Sequence, residues 1–479
     1  MQGQLTRNTL FITIGSIGQK MIAFVYFLFV ARTMKPEQTG TYFLVTSFVT
    51  MFSVFTDLGV MNVLIREIAK TPERTKELAK LGLGIKLVLD IISVCVVIVA
   101  ANILSYEVSV RHLIYLTTLV MTLDSIGYLF YGVLRGKQQL QFESLGLFLG
   151  QLTTTGFGIL ILTFVPSITL LIAALICGST VNLIIASSKV IKTYGWSMLV
   201  PKLNKVMLKW LLISSLPFAI SGACVKVYSY IDTIIISKFL DATSLGVYSV
   251  AYKFTYAFQF LPMVFSSALY PRLSALFATD PVRGRETFER SIWYTTILAT
   301  PIIFGVWLIS EPMIRLTGGG YQSSVEILRL LIFVLFPIFW DFPIGALLNA
   351  SGYQNDKTVS MIAMLVISCT SFFVLIRAFG LYGAALASLI NFTSLLIIES
   401  YFVKKRFALI SFKRLFDIVG RIIGSGLCML LVGYLIRPFV HWIVLIPLCG
   451  IVYACVLLVS RSITIGDVKI IRGILKKTV

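Results

Sequence analysis

Five basic side chains sit inside otherwise apolar stretches of this chain: Lys20, Lys86, Lys226, Lys253 and Arg421. A cation in such a setting is costly unless a carboxylate or a bound anion compensates it. Carboxylates lie in similar stretches: Asp57, Asp90, Asp124, Asp232, Asp341 and Glu399. Two chemistries are therefore open. Lysines left without a carboxylate could hold an anionic ligand. Aspartates left without a cation could take up H+ or Na+. Lys86 and Asp90 are four residues apart on one helix, so a local ion pair is expected there. Arg421 lies near a span end and is expected to snorkel toward the headgroups.

Other chemistry is missing. No Gly-x-x-x-x-Gly-Lys-Ser/Thr phosphate loop is present, so no built-in ATPase is expected. The two histidines, His112 and His441, stand far apart at span ends, which argues against a histidine metal site. The seven cysteines fall in apolar spans with no Cys-x-x-Cys spacing and read as small buried apolar residues. No cofactor is expected. No loop is long enough to fold as a catalytic domain, so an enzyme is disfavoured.

The elements that carry these residues follow from composition. Hydrophobic residues make up 57% of the 479 and charged residues 13%; mean hydropathy is +0.92. An average soluble domain carries about 25% charged residues. Fourteen apolar blocks can be read: 9–31, 39–64, 81–104, 112–134, 144–165, 168–188, 208–236, 245–269, 291–314, 327–349, 358–377, 381–403, 415–436 and 441–460. Each suffices to cross a core of about 30 Å as a helix. The fold class is an all-α polytopic membrane protein with 14 transmembrane helices. The first block is too long for a signal-peptide core and lacks an Ala-x-Ala site, so it reads as a true span.

Orientation comes from Lys and Arg. With both termini in the cytoplasm, 28 of the 41 basic residues fall on the cytoplasmic side and 8 on the outer side. Lys357 counts among the cytoplasmic ones. The net charge of +20 is thus mostly a topology signal and an affinity for anionic lipids, with no call for nucleic acid.

A repeat emerges at a shift of 206 residues. Gly40 falls on Gly246, Tyr42 on Tyr248, Phe48 on Phe254, Ile14 on Ile220, Lys20 on Lys226 and Arg66 on Arg272. Six spans separate the copies, an even number, which preserves orientation and makes the repeat parallel. The expected organisation is a six-helix lobe over 1–205, a second over 206–405, and a C-terminal helix pair with a basic tail over 406–479. Two pseudo-symmetric lobes suit alternating access.

Residues Ala31 to Tyr42, with Gly40-Thr41-Tyr42, then Thr56-Asp57-Leu58-Gly59-Val60 and Leu64-Ile65-Arg66-Glu67, resemble the N-terminal signature of the Wzx-type polysaccharide-biosynthesis flippases. That family belongs to the multidrug/oligosaccharidyl-lipid/polysaccharide exporter superfamily. The resemblance implies a flippase in the cytoplasmic membrane. It would move a polyprenyl-(pyro)phosphate-linked oligosaccharide to the outer leaflet, coupled to an ion gradient, with a polysaccharide polymerase as a possible partner. The alternatives are a multidrug or organic-cation antiporter and a lipid II flippase.

Such a substrate needs positive charge near mid-membrane. Lys20 and Lys226 lie about 12 and 18 residues into their blocks, close to the middle of a crossing. They are expected to bind the phosphate, with Lys253 as a third contact; lysine as a compact point charge suits a ligand that must be released. Arg66 and Arg272 are expected at a cytoplasmic gate or lipid headgroup. Asp57, Asp124, Asp232 and Asp341 are the coupling candidates, with an Asp57–Arg66 gate pair as the competing role for the first. Pro217, Pro262, Pro337 and Pro343 suggest that the second lobe is the more broken one. Tyr228, Tyr230 and Tyr256 could stack on sugar rings.

Overall fold

Lipid offers no water to satisfy a backbone N–H or C=O, so a crossing segment must satisfy them within itself. In the computed structural model this apolar chain accordingly runs as successive helices. Residues 2–202, 205–407 and 412–463 are described. The basic tail from 464 onward and the side chains of Arg7, Ile14, Lys205, Pro217, Lys413 and Arg414 lie outside the described residues.

In chain order the helices are α1 (Gln2–Thr33), α2 (Pro36–Phe52), α3 (Val60–Lys70), α4 (Thr75–Ile103), α5 (Val108–Gly136) and α6 (Gln141–Phe164). Then come α7 (Ile168–Tyr194), α8 (Lys205–Phe239), α9 (Ala242–Tyr256), α10 (Phe260–Thr279), α11 (Pro281–Leu308) and α12 (Ser310–Arg315). The last are α13 (Ser324–Leu331), α14 (Leu335–Ala350), α15 (Gln354–Arg406), α16 (Phe412–Ile436) and α17 (Trp442–Val459). Among the described residues, twelve segments are long and apolar enough to cross a membrane. One of them, α15, has 53 residues and would measure roughly 80 Å unbroken, far beyond one bilayer core. Gly380, at φ 57° and ψ −132°, divides it. The first apolar block lies on α1. All fourteen apolar blocks therefore fall on helical segments, and the protein is an all-α, multi-pass membrane protein.

The chain forms two compact units. The first comprises Met1–Val250, Thr317–Gly320 and Ser368–Leu381; the second comprises Ala251–Leu316, Tyr321–Ile367 and Tyr382–Val479.

In the first unit, small residues let helices approach where lipid supplies no hydrophobic drive. A Cβ on Gly178 of α7 would lie 2.7 Å from the Gly150 carbonyl oxygen of α6. Gly15 and Gly18 seat α1 against Ser144 and Phe148 of α6. That contact fixes the rotation of α1. Lys20, two residues past Gly18, is about 200° further round the helix and is exposed. Met61, Leu64 and Ile68 of α3 pack against Leu129, Phe130 and Leu134 of α5.

The 206-residue repeat has a physical counterpart in this unit. Gly40 of α2 and Gly246 of α9 lie in reciprocal contact. A Cβ on Gly40 would collide with the carbonyl oxygen of Ala242, and one on Gly246 with that of Pro36. Pro36 and Ala242 are themselves 206 apart, so the contact maps onto itself under the repeat. A second correspondence is less visible in the sequence. Tyr42 packs in one apolar cluster with Tyr26, while its counterpart Tyr248 donates a hydrogen bond to Asp232 at 2.9 Å. Residues 26 and 232 are again 206 apart.

The second apolar block is not one helix. After a 3-10 turn over Ser53–Thr56 the chain passes through Asp57, Leu58 (φ 44°) and Gly59 (φ 75°) before α3 begins. A Cβ on Gly59 would lie 2.6 Å from Phe218 Cβ and 2.8 Å from the Ser215 carbonyl oxygen of α8. The position therefore demands glycine twice, for its left-handed backbone and for the close packing. The Asp-Leu-Gly motif is thus a helix break. It is a break that no proline marks. The second unit has 3-10 turns at Ala257–Gln259, before Pro262, and at Ile332–Val334, before Pro337. Among the described residues, this proline-free site in the first unit is the one with two successive left-handed residues.

In the second unit, Leu269 and Leu273 of α10, Phe288 and Ile292 of α11, and Ile344 and Leu347 of α14 form one core. Phe304 and Leu308 of α11 pack with Ile422 and Met429 of α16 and Leu445 and Cys449 of α17 in another. The cysteines also depart from expectation. Cys224 and Cys449 are buried and Cys369 is partly so, but Cys95, Cys177, Cys428 and Cys455 are exposed on the helix surfaces. An apolar side chain loses nothing by facing lipid, so residence in a span does not imply burial.

Candidate functional site

The break at Asp57 positions a charge cluster in the first unit. A chain leaving helical geometry strands carbonyl oxygens that need donors. Lys86 of α4, only 1% exposed, supplies one. Its Nζ donates to the Thr56 carbonyl oxygen at 3.3 Å and to Ser125 Oγ of α5 at 3.1 Å. It forms an ion pair with Asp57 at 3.3 Å and lies 5.6 Å from the centre of the Tyr128 ring. This corrects two expectations. Lys86 pairs with Asp57 and not with Asp90. Asp57 pairs with Lys86 and not with Arg66, whose guanidinium binds Glu67 at 3.0 Å. Asp90 is buried and forms no ion pair among the described residues. One layer on, Arg135 of α5 grips Glu143 of α6 through two hydrogen bonds and also covers Tyr128.

The second unit holds a tighter cluster. Lys357, near the start of α15, donates to Asp341 Oδ1 of α14 at 2.5 Å and to Glu399 Oε1 in the far half of α15. Glu399 is fully buried. Gly345, one turn after Asp341, leaves room for the lysine: a Cβ there would lie 3.3 Å from Lys357 Nζ. The neighbouring residue Asp356 accepts two hydrogen bonds from Arg406 at 2.8 and 3.2 Å. Lys357, read from sequence as a loop charge marking topology, is thus a buried structural cation. Its place at a span end gave no sign of this.

The remaining candidates divide clearly. Lys20 is exposed on α1 and Lys226 is partly buried on α8. Neither has an ion-pair partner among the described residues, so pairing with a membrane carboxylate does not account for them. Lys253 is exposed on α9 and Arg272 on α10. Asp124 is exposed on α5. Asp232 is buried; its Oδ1 accepts from the Thr233 N–H at 2.7 Å and its Oδ2 from Tyr248. Tyr252 and Tyr256 stack at 4.1 Å. Arg421 pairs with Asp417 at 2.8 Å on an exposed helix face.

Several basic residues that the sequence count assigns to the outer side as topology charges serve local structure. Lys238 donates to the Leu104 carbonyl oxygen over the Tyr106 ring, and Arg111 donates to Asn102 at 2.6 Å. Glu311 accepts from both Arg315 and Arg437 at 2.6 Å. His441 caps α17. Among the described residues no group of His, Cys, Asp or Glu could hold a metal ion.

Known proteins set this architecture in context. A capsular polysaccharide biosynthesis protein of Staphylococcus aureus is 21% identical over 407 residues, which is 84% of this chain and 100% of that one. The "Probable low-salt glycan biosynthesis flippase" of Haloferax volcanii is 22% identical over 432 residues, 89% of this chain and 88% of that protein. Among solved structures, the lipid II flippase MurJ in an inward closed conformation superposes with a TM-score of 0.76 at 14% identity. That match covers 93% of this chain and 98% of the other. The MatE family matches residues 217–375. Residues 5–277, more than half of the chain, match the polysaccharide biosynthesis protein family, and the protein belongs to that family.

Proposed function

We propose that the protein is a flippase for a polyprenyl-(pyro)phosphate-linked oligosaccharide, moving it from the cytoplasmic to the outer leaflet by alternating access. Family membership and the glycan-related relatives support the substrate class. The protein would reside in the cytoplasmic membrane with both termini inside, following the distribution of basic residues. Its lobes would span 1–205 and 206–405, followed by the helix pair.

One observation carries the site assignment. The buried lysines, Lys86 and Lys357, are neutralised by carboxylates. The repeat-related pair Lys20 and Lys226 has no carboxylate among the described residues. Cations in a membrane-crossing segment with no carboxylate partner among the described residues are suited to a partner that arrives, here the substrate phosphate. Lys253, in the second unit, is a separate candidate contact, and the Tyr252–Tyr256 stack beside it in sequence offers an aromatic face for sugar. Arg66 and Arg272 would meet headgroups at the cytoplasmic entrance. Asp57, Asp124, Asp232 and Asp341 are carboxylates through which H+ or Na+ could couple, and a polysaccharide polymerase would consume the flipped product.

Native mass spectrometry of gently purified protein tests the reading. A co-purifying polyprenyl-(pyro)phosphate glycan is expected, with occupancy lowered at least about tenfold in Lys20→Ala/Lys226→Ala, the loss expected when charge-assisted contacts are removed. Undiminished occupancy in the double variant would remove both lysines from the phosphate role. Binding of organic cations with no such glycolipid would overturn the flippase reading in favour of the antiporter suggested by the MatE match.

A further inference from the structure

The Lys357 cluster contains one cation and two carboxylates in direct contact with it. One ammonium neutralises one carboxylate. The surplus charge falls in a buried setting, where an uncompensated ion costs several kcal/mol. Two carboxylates sharing a site under such conditions resolve the cost by keeping a proton between them.

Among the described residues the surroundings supply no other counter-charge. From α10 the core receives Leu269 and Leu273, and from α11 Phe288 and Ile292, all apolar. The Arg285–Glu289 pair on α11 is closed on itself at 2.8 Å, and Arg272 of α10 is exposed. On α15, Asp356 and Arg406 balance each other, and Lys404 and Lys405 are exposed. A second feature points to a ligand. Among the described residues no donor reaches the buried Glu399 Oε2, although its other oxygen is held by Lys357. A lone free oxygen suits a proton; a hard metal cation would gather several oxygens.

We propose that Asp341, Lys357 and Glu399 form a site for one exchangeable proton in the second unit. Glu399 Oε2 is the buried acceptor. Asp341, with 23% of its side chain exposed, is the point of exchange with water. Arrival of the proton turns the net charge of the cluster from −1 to zero; its departure restores the surplus and weakens the tie between α14 and the two halves of α15. The site stands on this geometry. Its role in coupling rests on the transport reading.

The two parts are separable by experiment. Infrared difference spectra of the purified full-length protein in nanodiscs, between about pH 5 and about pH 9, should show a titrating carboxylic-acid band. Glu399→Gln should abolish that band, while Lys357→Met should enlarge it by removing the competing cation. Asp341→Asn, which leaves a one-to-one pair, should also abolish it and guards against misfolding of the Glu399 variant. An unchanged band in Glu399→Gln and Asp341→Asn would overturn the site. In vesicles, acceleration of glycolipid flipping by a pH gradient should fall at least about tenfold in Glu399→Gln. Loss of the band with gradient-driven flipping intact would keep the site and overturn its coupling role. Failure of the wild-type protein to flip glycolipid at all would sink the transport reading and leave the site standing.

Discussion

Lys86 in the first unit and Lys357 in the second meet the same problem with the same composition, one buried ammonium and two nearby carboxylates. They solve it differently. Lys86 is shared among one carboxylate, one hydroxyl and one carbonyl freed by a broken helix. The other carboxylate, Asp90, forms no ion pair among the described residues. Lys357 instead holds both carboxylates itself. The first arrangement ties a lysine to a helix break. The second balances two acids on one cation. The number of charges in a cluster therefore does not define its chemistry; the donors and acceptors delivered by the backbone do.

This difference should appear most strongly when a carboxylate is removed. Asp57→Ala leaves Lys86 with only neutral partners in a buried site. Breaking a buried pair from one side typically costs about 3–5 kcal/mol. The lower end, about 3 kcal/mol, is expected here, because Asp90 lies four residues along the same helix as a fallback. Thermal unfolding in detergent should show a large fall in Tm. A fall no larger than that of an exposed substitution would mean that the Thr56 and Ser125 contacts suffice to hold the charge.

The second cluster should tolerate the corresponding change. Asp341→Asn leaves Lys357 its contact with Glu399 and removes the surplus charge. A loss of only about 1 kcal/mol is expected, comparable to one ordinary hydrogen bond. Equal losses in Asp57→Ala and Asp341→Asn would erase the distinction between the clusters.

Which parts of this were legible in the sequence follows from the physics of each signal. The helices were legible, because crossing lipid demands long apolar runs. The repeat was legible where identity survived, at Gly40/Gly246 and Tyr42/Tyr248, since the backbone contact there tolerates only glycine. The pairing of positions 26 and 232 was not legible, because one copy carries tyrosine and the other aspartate. The Asp-Leu-Gly motif was visible as a signature but not as a break: it contains no proline, and left-handed residues leave little trace in composition. Lys86 was assigned to Asp90 by spacing along one helix, and only the neighbouring break reveals the better partner. Lys357 was hidden by its position at a span end; its burial depends on α14, both halves of α15 and the space beside Gly345.

The smallest single effect should come from Asp90, and that is where the comparison can be sharpened most. Asp90 forms no ion pair among the described residues, so Asp90→Asn breaks none, and a change within about 1 kcal/mol is expected. Its importance should depend on the first substitution. With Asp57 present, the ion pair of Lys86 is with Asp57. With Asp57 gone, Asp90 is the nearest carboxylate on the same helix, and the lysine should turn to it. Asp57→Ala/Asp90→Asn should therefore lose more than the sum of its single variants, by at least about 1 kcal/mol in a double-mutant cycle. Strict additivity would show that Lys86 never reaches Asp90. The first cluster would then be a single ion pair beside an independent acid, and the resemblance to the second would be one of composition alone.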